Sequence, residues 1–133
     1  MKGAIENHPN AVLARELWSA TAEGDADALR RLFADDIVWT TFGTNPLAGQ
    51  IQGPEAILSY LATVGEEADD LCSTLKSLYV NDEGAVIFFH ISAIRGERKL
   101  EVDVLLLFRL ENGRAVSALM IPADQDANDA FWS

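Results

Sequence analysis

The second half of the chain is a row of strand-like runs separated by tight-turn signals. No other feature limits the possible folds so strongly. The runs "LCSTLKSLYV", "AVIFFHISAI", "KLEVDVLLLFRL" and "RAVSALMIP" are rich in β-branched and aromatic residues, and "NDEG", "RGER" and "ENG" stand between them. Connections this short join neighbouring antiparallel strands, so residues 71–122 read as a four-strand meander. If "RGER" is a two-residue turn with Arg95 opposite Arg98, His90 faces Asp103 across the strands. Phe89, Ile91, Val102, Val104 and Leu106 then share the other face, and a slip of one residue would reverse the two sets.

Helices come before this meander. Pro9 in "NHPN" suits a first helical position, and the helix runs through "AVLARELWSATAEG", with Leu13, Leu17 and Ala20 at helical spacing and Gly24 as its stop. Asp25 caps a shorter helix, "ADALRRLFA", with an apolar stripe of Leu29, Leu32 and Phe33. Asp35 and Asp36 follow as the corner before a first strand, "IVWTTF". The loop "GTNPLAGQIQG" has room for a short hairpin strand. Gly53-Pro54 then opens a third helix whose Ile57, Tyr60, Leu61 and Val64 face inward and which Gly65 ends. After the acidic bend "EEADD" the strands begin, and the tail "ADQDANDAFWS" forms a short helix capped by Asp124 and anchored by Phe131 and Trp132. Helices gathered before an antiparallel meander make an α+β fold, with helices on one face of a curved sheet that encloses a pocket.

The 133 residues fit one domain, 1–133, and a composition of 49% hydrophobic and 23% charged residues is that of a globular chain. A net charge of −11 argues against nucleic acid and anionic membranes, whose binding draws on Lys and Arg. The opening "MKGAIENHPN" lacks the apolar core of a signal peptide, and no apolar run reaches the ~20 residues that span a bilayer. The single cysteine, Cys72, fits a reducing cytoplasm. No metal-ligand spacing and no phosphate-binding glycine motif occurs, so neither a metal nor a cofactor is expected.

The segments "EGDADALRRLFADDIVW", "PLAGQIQGPEAI", "FRLENGRAV" and "PADQDANDAFW" resemble the SnoaL-like family of the nuclear transport factor 2-like superfamily, over nearly the whole chain. The resemblance implies a cone-shaped α+β barrel, built from a curved mixed or antiparallel sheet, three helices in the N-terminal half and a short C-terminal helix. It also implies a homodimer packed through the sheet. Relatives include ketosteroid isomerases, polyketide cyclases, epoxide hydrolases, dehydratases and non-catalytic binding modules, so the fold leaves the activity open. The isomerase base falls on Thr41, its oxyanion-hole Tyr on Leu17 and the partner acid on Leu106. The His and Asp of the cyclase branch fall near Leu106 and Met120. None of these residues matches the expected type.

Two alternatives therefore stand. One is an isomerase, cyclase or hydrolase-like acid/base activity on a small hydrophobic molecule, with Asp124, or His90 if the register slips, as the reacting group. The other is a ligand-binding or dimerisation module without that chemistry. On the first strand, Ile37, Trp39 and Thr41 share a face. Trp39, Thr41, Phe42, Tyr60, Leu106 and Met120 are the candidate pocket lining, with Thr41 as the polar contact. In the favoured register His90 and Asp103 lie on the outer face, and His8 is expected to be exposed.

Overall fold

In a computed structural model, residues 8–133 are described. The reading of the opening stretch as lacking a leader rests on residues 1–7 and lies outside them. Helix α1 spans Pro9–Glu23. His8 caps it through Nδ1, which accepts from the Asn10 amide at 3.0 Å, and Nε2 reaches Asp82 at 2.8 Å. His8 is thus half-buried and engaged, not an exposed arm residue. Gly24 closes the helix in the left-handed region at φ 69°, where a Cβ is disfavoured. Helix α2, Ala26–Leu32, starts at the Asp25 cap.

Strand β1 runs Phe33–Thr41, so the helix stops two residues before the end of the run "ADALRRLFA", and Phe33 belongs to the strand. Asp35 and Asp36 lie within β1 and are exposed. Here the pairing shifts from Phe33↔Ala115 to Val38↔Ser117, a bulge that releases the two carboxylates into solvent instead of a turn between elements. Strand β2, Gly49–Gln52, forms the short hairpin with β1. Helix α3, Pro54–Glu67, continues past Gly65 to the edge of the acidic bend.

The meander follows as β3 (Asp69–Val80), β4 (Gly84–Arg95), β5 (Arg98–Glu111) and β6 (Arg114–Pro122). Arg95 pairs with Arg98 and His90 with Asp103, the register that the two-residue turn dictates. The β5–β6 turn has Asn112 at φ 53° and Gly113 at φ 76°, the paired left-handed conformation of a tight hairpin. The sheet order is β2-β1-β6-β5-β4-β3, with β1 parallel to β6 and the other pairs antiparallel. Register shifts in β1, β3 and between β5 and β6 bend this mixed sheet into an α+β cone. Helix α4, Gln125–Trp132, closes the described chain.

Trp39 sits fully buried at the centre of the core. It meets Phe108 edge-on at 6.0 Å and Phe33 at 6.4 Å between ring centroids, separations typical of favourable aromatic pairs. Leu17 and Leu29 from the helices and Ile87 from β4 complete this layer. No helix among the described residues is long and apolar enough to cross a membrane.

Candidate functional site

Between α3, the inner face of the sheet and α4 lies a cavity of about 60 Å³. That is space for on the order of four water-sized groups, well below the ~300 Å³ at which drug-sized pockets begin. Its walls come from every layer of the fold. Thr41 ends β1, Tyr60 and Val64 line it from α3, and Val104 and Met120 line it from β5 and β6. Asn128 and Trp132 of α4 close it from above, and Asn45 closes it from the β1–β2 loop.

Three side chains form a hydrogen-bonded chain that ends in this space. The buried indole Nε1 of Trp39 donates to Thr41 Oγ1 at 3.3 Å. Thr41 Oγ1 in turn lies 3.0 Å from the Tyr60 hydroxyl. The trio carries three polar protons and makes two internal bonds, so one hydroxyl proton on Thr41 or Tyr60 is left for an acceptor in the cavity. Burial pushes the Tyr60 phenol above its usual pKa, against a smaller opposing effect of the Thr41 bond. Tyr60 therefore stays a neutral donor at physiological pH. Of the described residues lining the cavity, it is the one titratable side chain.

The other polar groups at the mouth, Asn45 and Asn128, make hydrogen bonds within the protein. Asn45 Nδ2 donates to Asp129 at 2.6 Å, and its Oδ1 accepts from the Leu47 amide at 2.9 Å. Asn128 Oδ1 accepts from Trp132 Nε1 at 3.2 Å. Asp129 also accepts from the Thr44 amide and from Gln125 Nε2, both at 3.1 Å, which ties the β1–β2 loop to α4. These donors, Asn45 foremost, hold the Asp129 carboxyl below its ordinary pKa.

The structure brings Thr41, Tyr60 and Met120 together on the cavity. Trp39 stands one bond behind them, in the core. Leu106 is 1% exposed and packs in the core, as does Leu17. Phe42 is 44% exposed, and its carbonyl accepts from Gln125 outside the cavity. Alternation along β1 explains this, since Phe42 follows Thr41 and points the other way. Asp124 caps α4 by accepting from the Ala127 amide at 3.0 Å. His90 lies on the outer face, with Nδ1 2.9 Å from Asp103 and Nε2 3.0 Å from Glu101. Neither Asp124 nor His90 lines the cavity.

Asn45 and Asn128 are site residues that sequence reasoning missed. Both come from segments beyond the strand pattern, and the sole hint was the place of Asn128 close to the aromatic tail anchors. Among the described residues, no group of three His, Cys, Asp or Glu is placed to hold a metal ion.

The family model described as a SnoaL-like domain matches residues 14–118. The chain belongs to the SnoaL-like family. Its fold is that of the nuclear transport factor 2-like and cystatin-like proteins. Bal32a, from a soil-derived mobile gene cassette, is 28% identical with a TM-score of 0.88, over 94% of this chain and 97% of that one. A protein of unknown function with a cystatin-like fold from Xanthomonas campestris is 22% identical, TM-score 0.85, over 93% and 98%. TerC, co-crystallised with polyporic acid, is 16% identical, TM-score 0.81, over 93% and 98%. No curated protein matches the chain.

Proposed function

We propose that this SnoaL-like protein binds a very small, uncharged, largely apolar molecule of about four heavy atoms carrying one hydrogen-bond acceptor, such as a short-chain ketone. The supporting observation is the Trp39–Thr41–Tyr60 chain, which offers a hydroxyl proton inside a mostly apolar cavity. An apolar cavity with few convergent polar groups is the usual form of a small-molecule site. The co-crystallisation of TerC with polyporic acid is in keeping with ligand binding by this fold.

Acid/base turnover needs a base within hydrogen-bond reach of the substrate proton. His90 and Asp124, the two candidates from the sequence, stand outside the lining, and no described His, Asp or Glu lines it, which favours the binding module over an isomerase, cyclase or hydrolase. Acetone and its hydrocarbon counterpart isobutene separate the two functions. Acetone at equal concentration raises the unfolding temperature more than the hydrocarbon, because it binds the folded state more tightly. Its α-hydrogens exchange in D₂O no faster with protein than without. Protein-dependent exchange that is lost in Tyr60→Phe would establish the enzyme instead.

We also propose that the protein is cytoplasmic, in keeping with its free, exposed Cys72, and that it forms a homodimer through the outer face of the sheet. Leu105, Leu107 and Ile121 are each more than a third exposed on that face. Leu107 lines a groove of about 450 Å³ together with Val86, Leu119 and Arg109. Exposed apolar side chains gathered on one face are a usual mark of an interaction surface.

A further inference from the structure

At the middle of that outer face, among exposed leucines, lies a charged network built from three strands. His90 of β4 stands between two carboxylates of β5, with Nδ1 2.9 Å from Asp103 Oδ1 and Nε2 3.0 Å from Glu101 Oε2. Lys76 of β3 closes the network, 3.1 Å from Asp103 Oδ2 and 4.9 Å above the Phe88 ring. Lys99 lies along β5 beside Glu101. Thr74 and Cys72 of β3 pair with His90 and Ser92 of β4, and Ile121 of β6 faces Leu105.

A neutral imidazole has one N–H and one lone pair, so it donates to only one of two carboxylates and turns a lone pair toward the other. Donation from both ring nitrogens at these distances requires the imidazolium. We propose, on the footing of the homodimer above, that the outer face closes against a second copy when His90 carries the proton that bridges Asp103 and Glu101, and opens when it loses it. While the face is in solvent, water separates a broken His–carboxylate contact at little cost. Beneath a partner, no water replaces the lost donor, and a half-satisfied buried network is worse than an apolar surface. Loss of the proton also adds one negative charge per copy at the contact, to chains that already repel. The two carboxylates already raise the His90 pKa, Asp103 first and Glu101 second. Covering the network raises it further.

The sign follows by linkage. Association takes up protons, so it is favoured at low pH and weakens as pH rises through the titration of His90. With one proton per copy, the dimer dissociation constant rises by up to about 100-fold per pH unit in that window. The test is sedimentation velocity on the full chain over a concentration series from about pH 5.5 to about pH 9 at fixed ionic strength. The expected result is a dissociation constant that rises at least tenfold across the series. It becomes flat in His90→Gln, and in Glu101→Gln the rise begins at lower pH. Circular dichroism of each variant verifies folding, and Glu101→Gln carries the test if His90→Gln does not fold. A dimer whose dissociation constant does not change with pH would overturn the proton gate and leave the homodimer intact. Monomer at every pH would overturn the homodimer itself. A slope that survives in folded His90→Gln would assign the proton to another group and also overturn the gate.

Discussion

Thr41 is the residue on which the site turns. Its hydroxyl accepts from the buried Trp39 N–H and shares a proton with Tyr60. Replacing it with the isosteric valine keeps the packing but strands both partners. An unsatisfied buried donor costs about 1–3 kcal/mol, so Thr41→Val is expected to lower the unfolding free energy by that amount, read as a lower urea midpoint with the slope unchanged. Tyr60→Phe removes the outer end of the chain, and Thr41 still satisfies Trp39, so its loss in the same titration is the smaller one. Equal stability of Thr41→Val and wild type would show that the Trp39 bond contributes nothing. Thr41 was singled out because the resemblance puts the isomerase base at its position, and β-strand alternation put it on the same face as Ile37 and Trp39, all of them buried. Its partner Tyr60 lies nineteen positions away on a helix. Sequence periodicity turns such a residue inward but does not show which strand residue it meets.

Two glycines test the elements with opposite signs. Gly65 lies inside α3, and a Cβ there meets nothing within 4 Å. Gly65→Ala therefore stabilises by about 0.5–1 kcal/mol through helix propensity alone. A Cβ on Gly84 at the start of β4 falls 2.2 Å from the Phe108 carbonyl oxygen. Gly84→Ala forces β4 and β5 apart there and destabilises by about 1–3 kcal/mol. Thermal melts of the two variants check both signs.

Helix α4 is the element whose role sequence showed least. Asp124 and the Phe131–Trp132 anchor announced the helix, but its inward face carries Asn128 to the cavity, and its outward face carries Asp129 to the loop that holds Asn45. Asp129 has a depressed folded pKa, so its contribution is present above the unfolded pKa and lost as pH falls through the folded one. Asp129→Ala is expected to remove that acid-side dependence and to speed amide exchange in residues 43–48. Unchanged exchange there would mean that the loop is held by something other than α4.

At the scale of the whole molecule, the meander, its register and the helix order followed from turn chemistry and alternation, which are local. The parallel β1–β6 pairing depends on contacts some 80 residues apart, and no local signal encodes it. The same distinction explains the site. Thr41 shared a face with Trp39 by period two, and the family resemblance put it and Met120 at the pocket, whereas the Asp35–Asp36 bulge and the loop asparagines broke that period. The fold brings these pieces together as a small chamber that holds a hydroxyl proton, and its proposed role is to select an acceptor-bearing ligand.

Calorimetric titration of wild type and Tyr60→Phe with acetone and isobutene measures that selection directly. A hydrogen bond of ordinary net strength predicts that wild type prefers the ketone by roughly threefold to tenfold, and that Tyr60→Phe loses the preference while binding the hydrocarbon as before. A ketone preference that persists undiminished in folded Tyr60→Phe would contradict the account.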